Sequence, residues 1–180
     1  MTGLAVRATT GRTDTDETVA FLLDAYRSCL RRPGKSIEHP LAVGRLLRDS
    51  GQPQRVVTAG LLHDLLEDTT VSAEELRERF GPDVTRLVEA LTEDPSIDDQ
   101  RERKAALRQK VLAAGPEAAT IAVADKAIKL VDADARPSER RLEHYCATLE
   151  GVERRYGPSP LSGLLRARLE RLHVAGSAAQ

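Results

Sequence analysis

The segment Thr58-Ala59-Gly60-Leu61-Leu62-His63-Asp64-Leu65-Leu66-Glu67-Asp68 runs an uncharged, mostly apolar stretch straight into four groups that bind metals or carry protons. On a helix, residues four apart share a face, so His63 stacks with Glu67 and Asp64 with Asp68. The lead-in predicts that this helix is buried. Carboxylates buried without counter-charge cost on the order of several kcal/mol or more. The fold must therefore bring positive charge to this point, and a divalent metal ion is the natural supplier.

The rest of the chain fits an all-α core. Its 180 residues amount to about one domain. Aromatics make up 3% and Trp is missing, so Leu, Val and Ala must fill the interior, which suits stacked helices better than a β-sandwich. Lys and Arg total 27 against 28 Asp and Glu, a balance that argues against a nucleic-acid-coating or membrane-surface protein. Cys29 and Cys146 sit in apolar-periodic stretches and read as free thiols in a reducing compartment. No stretch approaches the apolar length of a membrane span or an export signal, so a soluble, cytoplasmic protein is expected.

Periodicity and punctuation place the elements. Residues 1–13 are polar and Thr/Gly-rich, and are expected to be disordered, with the folded domain over 14–175. Helices are expected over 15–31, 39–50 and 53–68, the third opening at Pro53 and carrying the His-Asp run to its end. Ser72-Ala73-Glu74-Glu75 forms a capping box for a helix that closes at Gly81, and Pro82 opens the next. Further helices are expected over 98–113, across Ile121 to Val131 after a reset at Gly115-Pro116, and over 138–155 and 159–174. With no strand pattern and no internal repeat, the expectation is a single-domain helical bundle of about eight to nine helices.

Four positions form a plausible metal set: His39, His63, Asp64 and Asp125. Neighbours on a helix differ by about 100°, so His63 and Asp64 can both reach an ion lying between them. Asp125 lies in the otherwise apolar segment Ala122-Val123-Ala124-Asp125-Lys126, where an isolated carboxylate lacks a partner. Imidazole and carboxylate together suit one divalent ion such as Mn, Fe, Zn or Co.

The pattern His39 … His63-Asp64 … Asp125 resembles the metal motif of the HD-domain phosphohydrolase superfamily. More narrowly, His39-Pro40-Leu41-Ala42-Val43, the run from Ala59 to Thr69, Phe80-Gly81, Leu91-Thr92-Glu93, Arg103-Lys104 and Ala124-Asp125-Lys126 resemble the alarmone (ppGpp) hydrolase branch, over residues 17–155. That branch comprises Rel/SpoT-type hydrolase domains and small stand-alone relatives. The resemblance implies that His39, His63, Asp64 and Asp125 hold one ion, typically manganese. It also implies that Glu67 and Asp68 orient or deprotonate the attacking water. Arg103 and Lys104 match an Arg-Lys pair of related proteins, so one of them is expected to reach a substrate phosphate.

Two positions depart from the branch. The lead-in Arg31-Arg32-Pro33-Gly34-Lys35-Ser36-Ile37-Glu38-His39 lacks the family's Tyr, although Arg31, Arg32 and Lys35 are placed to meet phosphates or stack on a base. Lys129 stands where the family has Asn, one turn after Asp125; it either binds an extra phosphate or pairs with Asp125 and weakens the ion site. The implied function is a nucleotide phosphohydrolase, with the 3′-diphosphate of guanosine tetra- or pentaphosphate as the first substrate. Another nucleotide (NADPH, a 5′-nucleotide or a nucleoside triphosphate) or a non-catalytic nucleotide-binding module remains open. The expected partner is thus a small nucleotide, with no nucleic acid and no membrane, and the pattern leaves the oligomeric state undetermined.

Overall fold

The computed structural model describes residues 14–28, 35–131 and 137–177. Every element among them is a helix: α1 (Asp14–Ser28), α2 (Glu38–Asp49), α3 (Gln54–Leu62), α4 (Leu65–Asp68), α5 (Ala73–Leu91), α6 (Gln100–Ala114), α7 (Pro116–Lys129), α8 (Glu139–Tyr156) and α9 (Pro160–Ser177). None of these helices is long and apolar enough to cross a membrane. The expectations for residues 1–13 and for Cys29 fall outside the described residues, while Cys146 is a free thiol.

The punctuation works largely as the sequence implies. The Ser72 hydroxyl accepts from the Glu75 N–H (3.1 Å) and opens α5, as the capping box requires. Asp99 accepts from the Glu102 N–H (2.9 Å) at the start of α6. The break expected at Gly81-Pro82 is present, and α5 is two helices that meet at a kink there. Gly81 adopts φ 82° and ψ 167°, a conformation closed to most L-residues, and the helix resumes immediately after it. Pro116 starts α7 earlier than the apolar pattern shows, because its fixed φ suits the first helical turn.

One helix organises the rest. α7 packs against α2, α3, α5, α6, α8 and α9. It is accordingly buried over almost its whole length, from Ala118 through Ala127. Its small residues, Ala118, Ala119, Ala122, Ala124 and Ala127, allow six neighbours to approach. Leu22, Leu47, Leu62, Leu65, Leu76, Leu87, Ile121 and Leu165 fill the space around it. α2 and α3 lie close enough that a Cβ at Gly44 would meet the Leu61 side chain, and one at Gly60 would meet Leu47 Cδ1. This contact sets the first turn of α2, with His39, beside the end of α3, with His63.

The expected continuous helix through Asp68 is the main departure. α3 ends at Leu62, and His63 and Asp64 form a turn before the single turn of α4. The His63 ring bonds the Gly60 carbonyl (Nδ1 to O, 2.8 Å), which is the carbonyl that the Asp64 N–H would use in an unbroken helix. Asp64 then sits near φ −94°, ψ −2°, and its carbonyl accepts the Asp68 N–H (2.9 Å). Across this turn His63, Asp64 and Glu67 all line the cleft, whereas the Asp68 side chain is turned away from it.

The tight α2–α3 contact makes a stability prediction. Gly44→Ala adds a methyl group against buried Leu61 and should destabilise the fold by about 1–3 kcal/mol despite the better helix propensity of Ala. Urea unfolding should show a lower midpoint with an unchanged slope.

Candidate metal and active site

Three elements converge on one cluster. His39 comes from the first turn of α2, His63 and Asp64 from the turn after α3, and Asp125 from the buried face of α7. Asp125 Oδ1 lies 2.8 Å from His39 Nε2 and 3.3 Å from His63 Nε2. Asp64 Oδ1 stands 3.2 Å from His63 Nε2, and Asp64 Oδ2 stands 4.0 Å from His39 Nε2. One ligand atom each from His39, His63 and Asp125 fits within 4.8 Å of the others.

His63 is the informative member. It is 3% exposed, and its Nδ1–H donates to the Gly60 carbonyl, which aims Nε2 at the cluster. That Nε2 is buried without a hydrogen-bond partner among the described residues, although two carboxylate oxygens stand close by. An imidazole anchored through Nδ1 to a backbone carbonyl, with its second nitrogen aimed at carboxylates, is the arrangement of a metal-ligating histidine. The donor set fits a borderline or hard divalent cation.

The electrostatics agree. Burial alone would lower the pKa of His63, but Asp64 and Asp125 beside it raise it to about 10. Burial also opposes the charge on Asp125, yet Lys129, Lys126, His39 and His63 hold its carboxyl well below the usual range. His63 and Lys129 do the same for Asp64. Both carboxylates therefore stay ionised, and the negative charge that raises the proton affinity of His63 favours a divalent cation at the same place.

The two acids of the run go to different surroundings. Glu67 lines the cleft that contains the cluster, a cavity of 1360 Å³, and its Oε1 accepts the Glu93 N–H at 2.7 Å. Burial lifts the Glu67 carboxyl above its ordinary pKa, against the pull of that hydrogen bond. Asp68 is 1% exposed and turns toward α1, where Oδ2 accepts from the Tyr26 hydroxyl (3.3 Å) and Oδ1 pairs with Lys35 (3.1 Å).

The basic residues singled out by sequence also separate. Arg31 and Arg32 lie outside the described residues. Lys35 lines the cleft while paired to Asp68. Arg103 and Lys104 both hold the Glu93 side chain, Arg103 Nε at 2.9 Å from Oε2, and only Lys104 also lines the main cleft. Their contact with Glu93 fixes the backbone that positions Glu67. Lys129 points into the cluster, 2.8 Å from Asp125 Oδ1. Sequence reading passed over Glu93 in this part, whereas Lys126, one of the two lysines that sequence offers as a partner for Asp125, places its Nζ 3.4 Å from Asp125 Oδ2 at 6% exposure. The signal for Lys126 was present: a lysine inside an apolar helix, next to a carboxylate.

A family model described as HD domain matches residues 18–150. The chain belongs to the HD-domain family. It is 36% identical over 138 residues to the Xenopus tropicalis protein named guanosine-3′,5′-bis(diphosphate) 3′-pyrophosphohydrolase MESH1, a match covering 72% of this chain and 76% of that protein. It is also 41% identical over 73 residues to a Synechocystis protein named probable guanosine-3′,5′-bis(diphosphate) 3′-pyrophosphohydrolase, where the match covers 40% of this chain and 10% of the longer protein. Among solved structures it resembles a metazoan ortholog of SpoT that is described as hydrolysing ppGpp. That likeness has a TM-score of 0.74 at 26% identity, over 91% of this chain and 98% of the other. HD-domain hydrolases depend on metal, and the His39, His63 and Asp125 group is where this member can hold one.

An ion that binds only the folded chain stabilises it by about 2.7 kcal/mol at 100 times its dissociation constant. Adding manganese should therefore raise the melting temperature of the wild-type chain in a concentration-dependent way. Asp125→Ala should remove that dependence, as followed by calorimetry.

Proposed function

We propose that this chain is a metal-dependent phosphohydrolase that removes the 3′-diphosphate of a guanosine tetra- or pentaphosphate alarmone, with manganese as its ion. The observation that carries this reading is the buried, unpartnered His63 Nε2 among the Asp64 and Asp125 carboxylates, with Glu67 lining the same cleft. The names of the MESH1 and Synechocystis relatives supply the substrate class.

In this reading His39, His63, Asp64 and Asp125 hold the ion. The bound ion supplies Lewis-acid charge, which activates water near neutral pH and offsets charge developing on the phosphoryl oxygens. Glu67 accepts the water's proton, a role that suits a carboxyl whose pKa burial has raised and whose orientation the Glu93 N–H fixes. The water oxygen bonds to the ester phosphorus, the bond from phosphorus to the ribose 3′ oxygen breaks, and that oxygen takes up the proton that Glu67 received from the water. Pyrophosphate and the 5′-diphosphate nucleoside leave. Asp68 supports the site by holding Lys35 and Tyr26 instead of touching the water. Lys35, Lys104 and Lys129 face the phosphates from the cleft wall.

Lys129 favours a second reading of substrate choice. Its ammonium lies 2.8 Å from Asp125 Oδ1, and turned toward a bound nucleotide it offers a charge that the family's Asn lacks. In that reading the preferred substrate is a different phosphorylated nucleotide, such as NADPH or a 5′-nucleotide.

Incubating the manganese-loaded protein with a nucleotide panel tests both readings by product analysis. Release of pyrophosphate from guanosine 3′,5′-bis(diphosphate) is expected, and inert protein that only binds nucleotide would refute the enzyme. Glu67→Gln should keep manganese binding and lower kcat by about 10²–10⁴-fold. His63→Ala should lose both. Lys129→Asn should raise alarmone turnover relative to the other nucleotides, whereas an unaltered ratio removes Lys129 from substrate selection.

A further inference from the structure

On the wall of the cleft made by α6, α7 and α8, a second group of donors is left over by the chemistry above. Arg108 of α6 is partly buried, and its Nη1 donates to His144 Nδ1 of α8 at 2.8 Å. Among the described residues no carboxylate forms an ion pair with the Arg108 guanidinium. His144 is 9% exposed, and burial, then Lys126, Lys104 and Arg108 push its pKa down to about 3. The ring is therefore neutral. Since its Nδ1 accepts from Arg108, its proton sits on Nε2, for which no described residue acts as acceptor.

The choice of partner matters. A carboxylate opposite Arg108 would fix the side chain and cancel its charge. A neutral imidazole fixes it and leaves the charge intact. Buried Lys126 stands on the same wall, and its only carboxylate contact among the described residues is Asp125, which it shares with His39, His63 and Lys129. Lys104, Arg108, Lys126 and His144 all line the cavity that holds the metal cluster. Lys104 is paired with Glu93 and Lys126 with Asp125, and Glu139 and Glu143 also line the cavity, so Arg108 stands out as a half-buried cation of this wall with no carboxylate contact among the described residues.

We propose that Arg108, oriented by His144, forms a second phosphate subsite in this cleft, which takes the phosphate group of the nucleotide that is not cleaved. The substrate class is then a nucleotide phosphorylated at two separate positions, one at the metal cluster and one at Arg108. His144 is a positioning residue and Arg108 a binding residue. This rests on the phosphohydrolase reading for the identity of the nucleotide, but not for the anion site itself.

The test uses the full manganese-loaded chain with two substrates, guanosine 3′,5′-bis(diphosphate) and guanosine carrying only the 3′-diphosphate. Arg108→Met should raise KM for the first by about 10- to 100-fold, with kcat nearly unchanged, and leave both constants for the second unaltered. His144→Gln, which keeps an acceptor for Arg108, should retain most of the affinity. Equal losses on both substrates, or no loss on either, overturn the subsite. A His144→Gln loss as large as that of Arg108→Met overturns the positioning role. A second arm measures binding of inorganic pyrophosphate to the chelator-treated chain by calorimetry, where Arg108→Met should weaken it about tenfold or more. Undiminished binding, or none to the wild type, overturns the proposal. Wild-type protein that cleaves neither nucleotide sinks the enzyme reading alone, and the pyrophosphate arm still decides the subsite.

Discussion

The carboxylate of Asp125 is the constraint around which the rest of the molecule is arranged. It sits on a helix that six others enclose, where a lone charge is strongly disfavoured, so two of those neighbours and its own helix deliver positive or proton-bearing groups to it. His39 arrives from α2, His63 from the end of α3, and Lys126 and Lys129 from α7 itself. The close α2–α3 contact at Gly44 and Gly60 is what allows the two imidazoles to meet, with ring centroids 5.3 Å apart. A site built this way is stable as a cluster and not residue by residue, because removal of any member leaves the others buried and unbalanced.

From that cluster a chain of contacts leads outward to Glu67, the residue proposed to take the water's proton. Arg103 and Lys104 grip the Glu93 side chain, the Glu93 N–H holds Glu67, and Glu67 faces the cleft. The Arg-Lys pair therefore acts through positioning, and Lys104 also reaches the cleft wall. Asp68, one residue beyond Glu67, anchors Lys35 and Tyr26 on the opposite side. The acidic run thus serves two surroundings with one turn of backbone.

The helical architecture was readable because its punctuation is local: Ser72, Pro116 and the Gly81 kink act within a turn of where they stand. The cluster was readable because charged residues inside apolar segments have few explanations. What sequence missed is one local side-chain contact and one tertiary one. Helical periodicity predicts an unbroken helix through Asp68, and it cannot register that the His63 ring takes the Gly60 carbonyl and frees Asp64 to turn. Arg108 reads as one more charge on a solvated helix, since only the fold reveals His144 of α8 opposite it.

The central claim is that His39, His63, Asp64 and Asp125 form a single divalent-ion site. Anomalous scattering from a crystal grown with manganese, recorded on both sides of the manganese edge, measures this directly. The account predicts one strong peak within ligand distance of His39 Nε2, His63 Nε2 and the two carboxylates, at about 2.0–2.3 Å. A crystal in which Lys129 keeps its contact with Asp125 Oδ1 and no peak lies among the four residues would contradict it.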